Sequence, residues 1–346
     1  MQGKSRLIGL DFVRGIAALI VMLQHTFEAS GHAVGDFDPF RGWTNLGQAG
    51  VVAFFLVSGF VIPMSLEKTG DQKVFWCSRA FRIYPMYFTS FFLTVIFLNG
   101  AFDARTVISH IFFVQEFVPH VKDHVPNSWT LSLELTWYIG TSVLFALSFL
   151  NRSRLLLVLV VAVSVLVGCL SWRYPQVPVG RYCMLVSCVI GLFLYRQMTG
   201  QSEEKLKVAI LVAVVAVLMW ISFRAVGGIP RNDLNLGTVG TAWALGYGIF
   251  FAGLLWGAQL PGHVILAWLG RISFSVYLLH PHFIALAEHL GIVGYPLMPF
   301  VIVTTAAASS FTYRFIELPG INLGRKLSER GYLRSSRRQA AKSSAS

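Results

Sequence analysis

Leu155–Leu170 reads LLLVLVVAVSVLVGCL, a run in which Cys169 is the one ionisable side chain. Arg152 and Arg154 stand just before it and Arg173 just after. A helix apolar on every face has no amphipathic side to turn toward water, so it is buried in a large core or spans a membrane. A hydrocarbon core ~30 Å thick takes roughly 20 such residues per helix. The same ruler applied outward from this run picks out about ten spans. They are Leu10–Ala29, Gly47–Ser65, Ile83–Leu98, Trp129–Leu150, Leu155–Trp172, Tyr182–Gln197, Val208–Phe223, Thr238–Trp256, Val264–Glu288 and Val293–Phe315. Val107–Val114 reads as a short re-entrant piece. The expected fold is an all-α polytopic transmembrane bundle.

Composition agrees. Of 346 residues 55% are hydrophobic and 13% charged, with a mean hydropathy of +0.63, where a soluble domain carries about a quarter charged residues. The first apolar run is interrupted by Arg14 and lacks a small-residue cleavage site, so it reads as a retained helix and not as a secretion signal. Cys77, Cys169, Cys183 and Cys188 lack metal-ligand spacing. Cys183 and Cys188 read as buried free thiols, and no metal is expected.

The net charge of +12 would suit nucleic acid, but its distribution points to membrane topology. Gaps on one side hold Arg41, Arg105, Lys122, Arg173, Arg181, Arg224 and Arg231; the other side, with the tail, holds eighteen Lys and Arg residues. Lys and Arg accumulate in cytoplasmic loops, so both termini are expected in the cytoplasm, with no nucleic-acid partner. Residues 1–320 read as one transmembrane domain and 321–346 as a basic, disordered tail attracted to anionic headgroups.

Ionisable groups inside spans are costly and mark function by default. In LDFVRGIAALIVMLQHTFEA, Arg14 and His25 lie eleven residues apart, on one helix face and about 16 Å apart along the axis. A guanidinium at the inner end suits a phosphate-rich donor; a deeper imidazole suits proton abstraction from a hydroxyl. Alone, a snorkelling arginine and a packed histidine explain the pair as well. In VVAFFLVSGFVIP, Ser58-Gly59 admits a close-approaching backbone or ligand. In SRAFRIYPMYF, Arg79 and Arg82 share a face and either clamp phosphates or anchor the topology, while Pro85 would kink or reset the helix. NSWTLSLELTWY places Glu134 near Trp129, Ser132, Trp137 and Tyr138. Its carboxylate could orient a histidine, bind a sugar hydroxyl or neutralise an arginine. RISFSVYLLHPHF aligns Ser273, Tyr277 and His280 on one stripe. In YRFIELPG, Arg314 and Glu317 read as a structural ion pair.

Together and in this order, these segments resemble the acyltransferase-3 family of bacterial membrane O-acyltransferases. The resemblance covers Leu10 to about Pro319 and rests on the Arg14–His25 spacing, Ser58–Phe60, Arg82–Pro85, Ser128–Glu134 and Ser273–Pro281. It implies transfer of an acyl group, acetyl first, from cytoplasmic acyl-coenzyme A to a hydroxyl of a cell-envelope glycan or glycolipid, in a multi-pass protein of the bacterial inner membrane. Acetyl-CoA would be a co-substrate, with no permanently bound cofactor, and polysaccharide assembly proteins are candidate partners beside membrane lipids. His25 and Glu134 would be catalytic, Arg14, Arg79 and Arg82 would hold the donor, and Ser58, Trp129, Ser132, Tyr277 and His280 would contact substrate. Where many relatives have two consecutive acidic residues, this chain has Glu134-Leu135. It resembles the stand-alone members, and WTLSLE resembles those that modify exopolysaccharide. The rival reading is a glycolipid or small-solute transporter with an Arg/His/Glu pathway. It expects repeated halves or paired broken helices, which the sequence does not display.

Overall fold

The computed structural model describes residues 2–34, 38–40, 42–97, 103–118, 121, 125–200, 203–225 and 235–328. Arg41, Lys122 and Arg231, used above in the charge count, lie outside them, as do residues 329–346 of the expected tail.

The described chain is all-helical. In order the helices are α1 (Gln2–Val34), α2 (Leu46–Thr69), α3 (Gln72–Phe97), α4 (Ala104–Ile111), α5 (Trp129–Ala146), α6 (Ser153–Arg173), α7 (Val179–Met198), α8 (Lys205–Ala225), α9 (Leu236–Trp256), α10 (His263–Arg271), α11 (Ser273–His289) and α12 (Leu297–Thr312). A π-helical turn, Tyr313–Glu317, follows α12, and helix continues over 318–328. The expected disordered tail is therefore helical at its start. The physical reason is packing: Gly320 and Gly324 lie against Phe81 of α3.

Six helices (α1, α2, α6, α7, α8 and α9) are long and apolar enough to cross a membrane, and the α10–α11 pair makes up to seven. The other three expected spans fall on α3, α5 and α12, which are helical without meeting that test; α5 carries Glu134, and α12 gives way to the π turn after 16 residues. The expected single span Val264–Glu288 is instead two helices bent by 77°. The bend has a packing cause as well. Gly270 sits so close to the Asp11 backbone of α1 that a Cβ there would collide with it, and α10 turns along α1 before α11 departs.

α2 lies at the centre, with α1, α7 and α9 packed around it, and most of its side chains are buried. It is capped by Asn45, whose Oδ1 accepts the Gln48 amide at 2.7 Å, and stopped by Gly70 in the left-handed region (φ 62°). Gly59 of α2 and Gly191 of α7 let the two backbones touch, the small-residue contact that helices use where no water drives them together. α6 and α8 form an outer flange. Val158, Leu159, Val163, Val165, Leu166 and Trp172 of α6 are all exposed. A continuous apolar face of that size is untenable in water and belongs against lipid. The chain is a multi-pass membrane protein. All four cysteines are free, and Cys183 and Cys188 are buried.

Candidate active site

Two cavities lie among α1, α2, α3, α5, α7 and α11. The first is lined by Arg14 of α1, Arg79 and Arg82 of α3, Glu134 and Tyr138 of α5, and Ser58 of α2, with Ser273 and Tyr277 of α11. Three guanidinium groups therefore face one cavity. Each charge acts on the others, and among the described residues Asp11 and Glu134 oppose them at Arg14. Asp11 lies 3.9 Å from Arg14 one turn back. Arg79 is 7% exposed and held flat, its guanidinium carbon 5.5 Å from the Phe75 ring centre and 5.8 Å from that of Tyr138. Its Nε has no hydrogen-bond partner among the described residues. An unsatisfied buried donor costs roughly 1–3 kcal/mol, which an anionic ligand would relieve. Glu134 accepts the Tyr138 hydroxyl at 2.5 Å and the Ser58 hydroxyl at 3.5 Å.

The second cavity is lined by His25, Gln24 and Glu28 of α1, Asn127 and Trp129 at the start of α5, Glu116, and Arg181 of α7. Glu116 and Arg181 form an ion pair, and Gln24 Nε2 donates to Glu28 and to Asp38, each at 2.9 Å. Amide, carboxylate and indole groups of this kind suit a polyhydroxylated ligand. His25 also borders a smaller opening beside Pro126 and Pro281. Val51 and Tyr277 line both main cavities, so a single layer of side chains separates the guanidinium groups from the His25 chamber.

Most residues singled out from the sequence converge here. Arg14, Arg79, Arg82, Ser58, Glu134 and Tyr277 wall the first cavity; His25, Trp129 and Tyr277 wall the second. Ser132 is buried away from both walls, its hydroxyl without a partner among the described residues. His280 is fully buried and meets His25 directly, Nε2 to Nδ1 at 2.9 Å. Glu134 bonds to Tyr138 and Ser58, so the carboxylate entertained as an orienter of His25 works in the first cavity and His280 stands at His25 in its place. The expected Arg314–Glu317 pair is not formed. Glu317 is bound by the Ser275 hydroxyl, and Arg314 lies over Phe315, because the π turn between them breaks the i,i+3 geometry.

Sequence reasoning did not single out Glu28, Asn127, Glu116 or Arg181. Glu28 was within reach, three residues beyond His25 on the same face. Asn127 opens the NSWTLSLELTWY stretch quoted for Glu134, and Arg181 entered only through the charge count; Glu116 comes from a distant segment and left no local signal.

Residues 7–314 match the acyltransferase domain of the acyltransferase-3 family. The chain belongs to this family. It is 23% identical, over 90% of its length, to a Bacillus subtilis (strain 168) protein whose name gives it as a candidate peptidoglycan O-acetyltransferase, YrhL. It is 28% identical over 48% of its length to the O-acetyl transferase of Shigella phage Sf6. It is 27% identical over 88% of its length to the exopolysaccharide production protein ExoZ of Rhizobium meliloti (strain 1021). The aligned part spans 54% of YrhL and 57% of the phage protein, but 96% of ExoZ. No solved structure matches the chain.

Proposed function

We propose that this acyltransferase-3 protein moves an acyl group, acetyl in the simplest case, from cytoplasmic acyl-coenzyme A to a sugar hydroxyl of an exopolysaccharide or other cell-envelope glycan at the bacterial inner membrane. One observation carries the reading: the guanidinium cavity and the His25 chamber share a wall made by Val51 and Tyr277. Arg14, Arg79 and Arg82 offer planar, permanently charged donors to the phosphates of the acyl donor. The thioester reaches toward the shared wall, and the acceptor enters the His25 chamber beside Trp129. His25 takes the proton of the acceptor hydroxyl as its oxygen bonds to the acyl carbon. The carbon–sulfur bond then breaks, and the departing thiolate receives that proton. General-base assistance of this kind contributes about 10²–10⁴-fold. Glu134 tempers the cationic cavity and fixes Tyr138 and Ser58.

Both termini would face the cytoplasm, with Arg14 toward the inner surface and His25 in the outer half of the bilayer. That depth difference lets a cytoplasmic donor and an outward-facing acceptor meet within the membrane. The ExoZ likeness over nearly the whole of both chains favours an exopolysaccharide acceptor over a wall glycan. The transporter reading gains one broken helix, α10–α11, but no second broken helix to pair with it among the described residues.

The test is mass spectrometry of envelope and secreted glycans from cells lacking the gene, complemented with wild type or His25→Ala. Wild type should restore an ester of acetyl mass and His25→Ala should not, with both proteins equally inserted. Unchanged acylation together with a glycan retained inside the cell would replace this reading with transport.

A further inference from the structure

We infer that His280 is a positioning residue that fixes the tautomer and aim of His25, so that the two histidines act as one dyad. This rests on the general-base role proposed for His25.

The deduction starts at a backbone carbonyl. His280 Nδ1 lies 2.9 Å from Val276 O, one turn back on α11. A carbonyl has no proton to give, so Nδ1 carries the hydrogen and donates it. A neutral imidazole has a single N–H, which leaves His280 Nε2 as a bare acceptor. A second proton would put a charge on a fully buried ring to which no carboxylate is hydrogen-bonded among the described residues, an arrangement burial disfavours strongly. His280 Nε2 stands 2.9 Å from His25 Nδ1, so that bond can form only with His25 Nδ1–H as donor. The proton of neutral His25 is thereby placed on Nδ1, and the lone pair falls on Nε2, the other side of the ring. The Asn127 side-chain amide approaches the same His280 nitrogen at 3.5 Å, again as a donor. Asn127 is held there by a left-handed backbone conformation (φ 64°) that Asn tolerates better than most residues.

Free imidazole divides its proton between the two nitrogens and rotates about its side-chain bonds. Here one partner settles both. The rings lie nearly parallel, 16° apart, and Tyr277, which walls both cavities, packs edge-on against His280 with ring centres 6.2 Å apart. Orientation of a base through its second nitrogen is what a buried carboxylate supplies in many hydrolases. In this chain a neutral histidine does it, which suits a site already within the membrane, where a further charge is costly.

The test uses purified full-length protein in detergent or nanodiscs, with acetyl-CoA and the exopolysaccharide and envelope glycans prepared from cells lacking the gene. Three variants are compared. His280→Leu removes the acceptor. His280→Gln carries an amide oxygen out to the position of the imidazole Nε2. His280→Asn carries one only as far as Nδ1. A positioning role predicts that His280→Leu and His280→Asn lower kcat at least about 100-fold, the lower end of what a general base supplies, with KM for donor and acceptor within about two-fold of wild type. His280→Gln should recover most of the loss. A packing role would instead rank the variants by size and monodispersity. Wild-type kcat in His280→Leu, or equal losses in Gln and Asn variants that remain folded, would overturn the positioning role alone. If His280→Leu fails to fold, the Gln and Asn variants decide. Absence of transfer by wild type would overturn the proposed function and the dyad with it.

Discussion

Arg79 shows what a single side chain does in the cationic cavity. It is buried, stacked between Phe75 and Tyr138, and its Nε has no partner among the described residues. A lysine would keep the charge and lose both the stack and the planar fork. Arg79→Lys should therefore raise KM for acyl-CoA roughly ten-fold, about 1.4 kcal/mol, while KM for the acceptor stays near wild type; a titration of each substrate separates the two. Equal rises in both would place Arg79 outside donor binding. At this scale the Arg14–His25 relation was legible because one helix carries both, and its period converts eleven residues into a shared face. The His25–His280 bond was not. It joins positions 255 residues apart, and the stripe Ser273–Tyr277–His280 indicates a face without saying what meets it. Glu134 was found but its partners were not, since a carboxylate in an apolar run announces a role and leaves the role open.

Among the elements, α2 and α7 depend on glycine at their crossing. A Cβ at Gly59 would run into the Cys188 carbonyl, and one at Gly191 into that of Leu56. Backbone atoms cannot rotate away as a side chain can, so the helices must separate. Gly59→Ala should cost about 1–3 kcal/mol as an overpacking substitution, seen as a lower thermal midpoint in detergent. Gly140→Ala in α5 is the control: nothing lies within 4 Å of the added methyl, and replacing a helical glycine should be neutral or gain up to about 1 kcal/mol. A midpoint for Gly59→Ala at or above the control would mean that the crossing is looser than the structure has it. Such contacts also explain which elements the sequence concealed. Hydropathy registers length and apolarity, so α6 and α8, which face lipid, were plain. The bend between α10 and α11 follows from the approach of Gly270 to the Asp11 backbone, a tertiary fact with no trace in periodicity. The π turn at Tyr313–Glu317 likewise redirects two charged residues that an unbroken helix would have paired.

For the whole molecule, the proposed function requires an orientation: if the guanidinium cavity holds the acyl-CoA phosphates, it must open toward the cytoplasm. The uneven Lys and Arg distribution predicts that orientation without reference to any site, so the two lines can be set against each other. Reporter fusions provide the measurement. In the ten-span reading, the α6–α7 connection at Gln176 and the α11–α12 connection at Gly291 lie outside. The α7–α8 connection at Gly200 and the α9–α10 connection at Gln259 lie inside. Alkaline phosphatase, active only after export, should be active when fused after Gln176 or Gly291 and inactive after Gly200 or Gln259; a fluorescent protein that matures only in the cytoplasm should give the reverse. The Gln259 and Gly291 fusions carry the most weight, because they bracket the bent α10–α11 pair and decide whether it crosses as one span or turns back. Opposite signs at the two sites mean one crossing and keep His280 level with His25. Like signs would make the pair re-entrant, change the number of spans, and put the C-terminus on the far side from the N-terminus. Reversed signs at all four sites would turn the guanidinium cavity away from the cytoplasm and remove the basis for a coenzyme A donor.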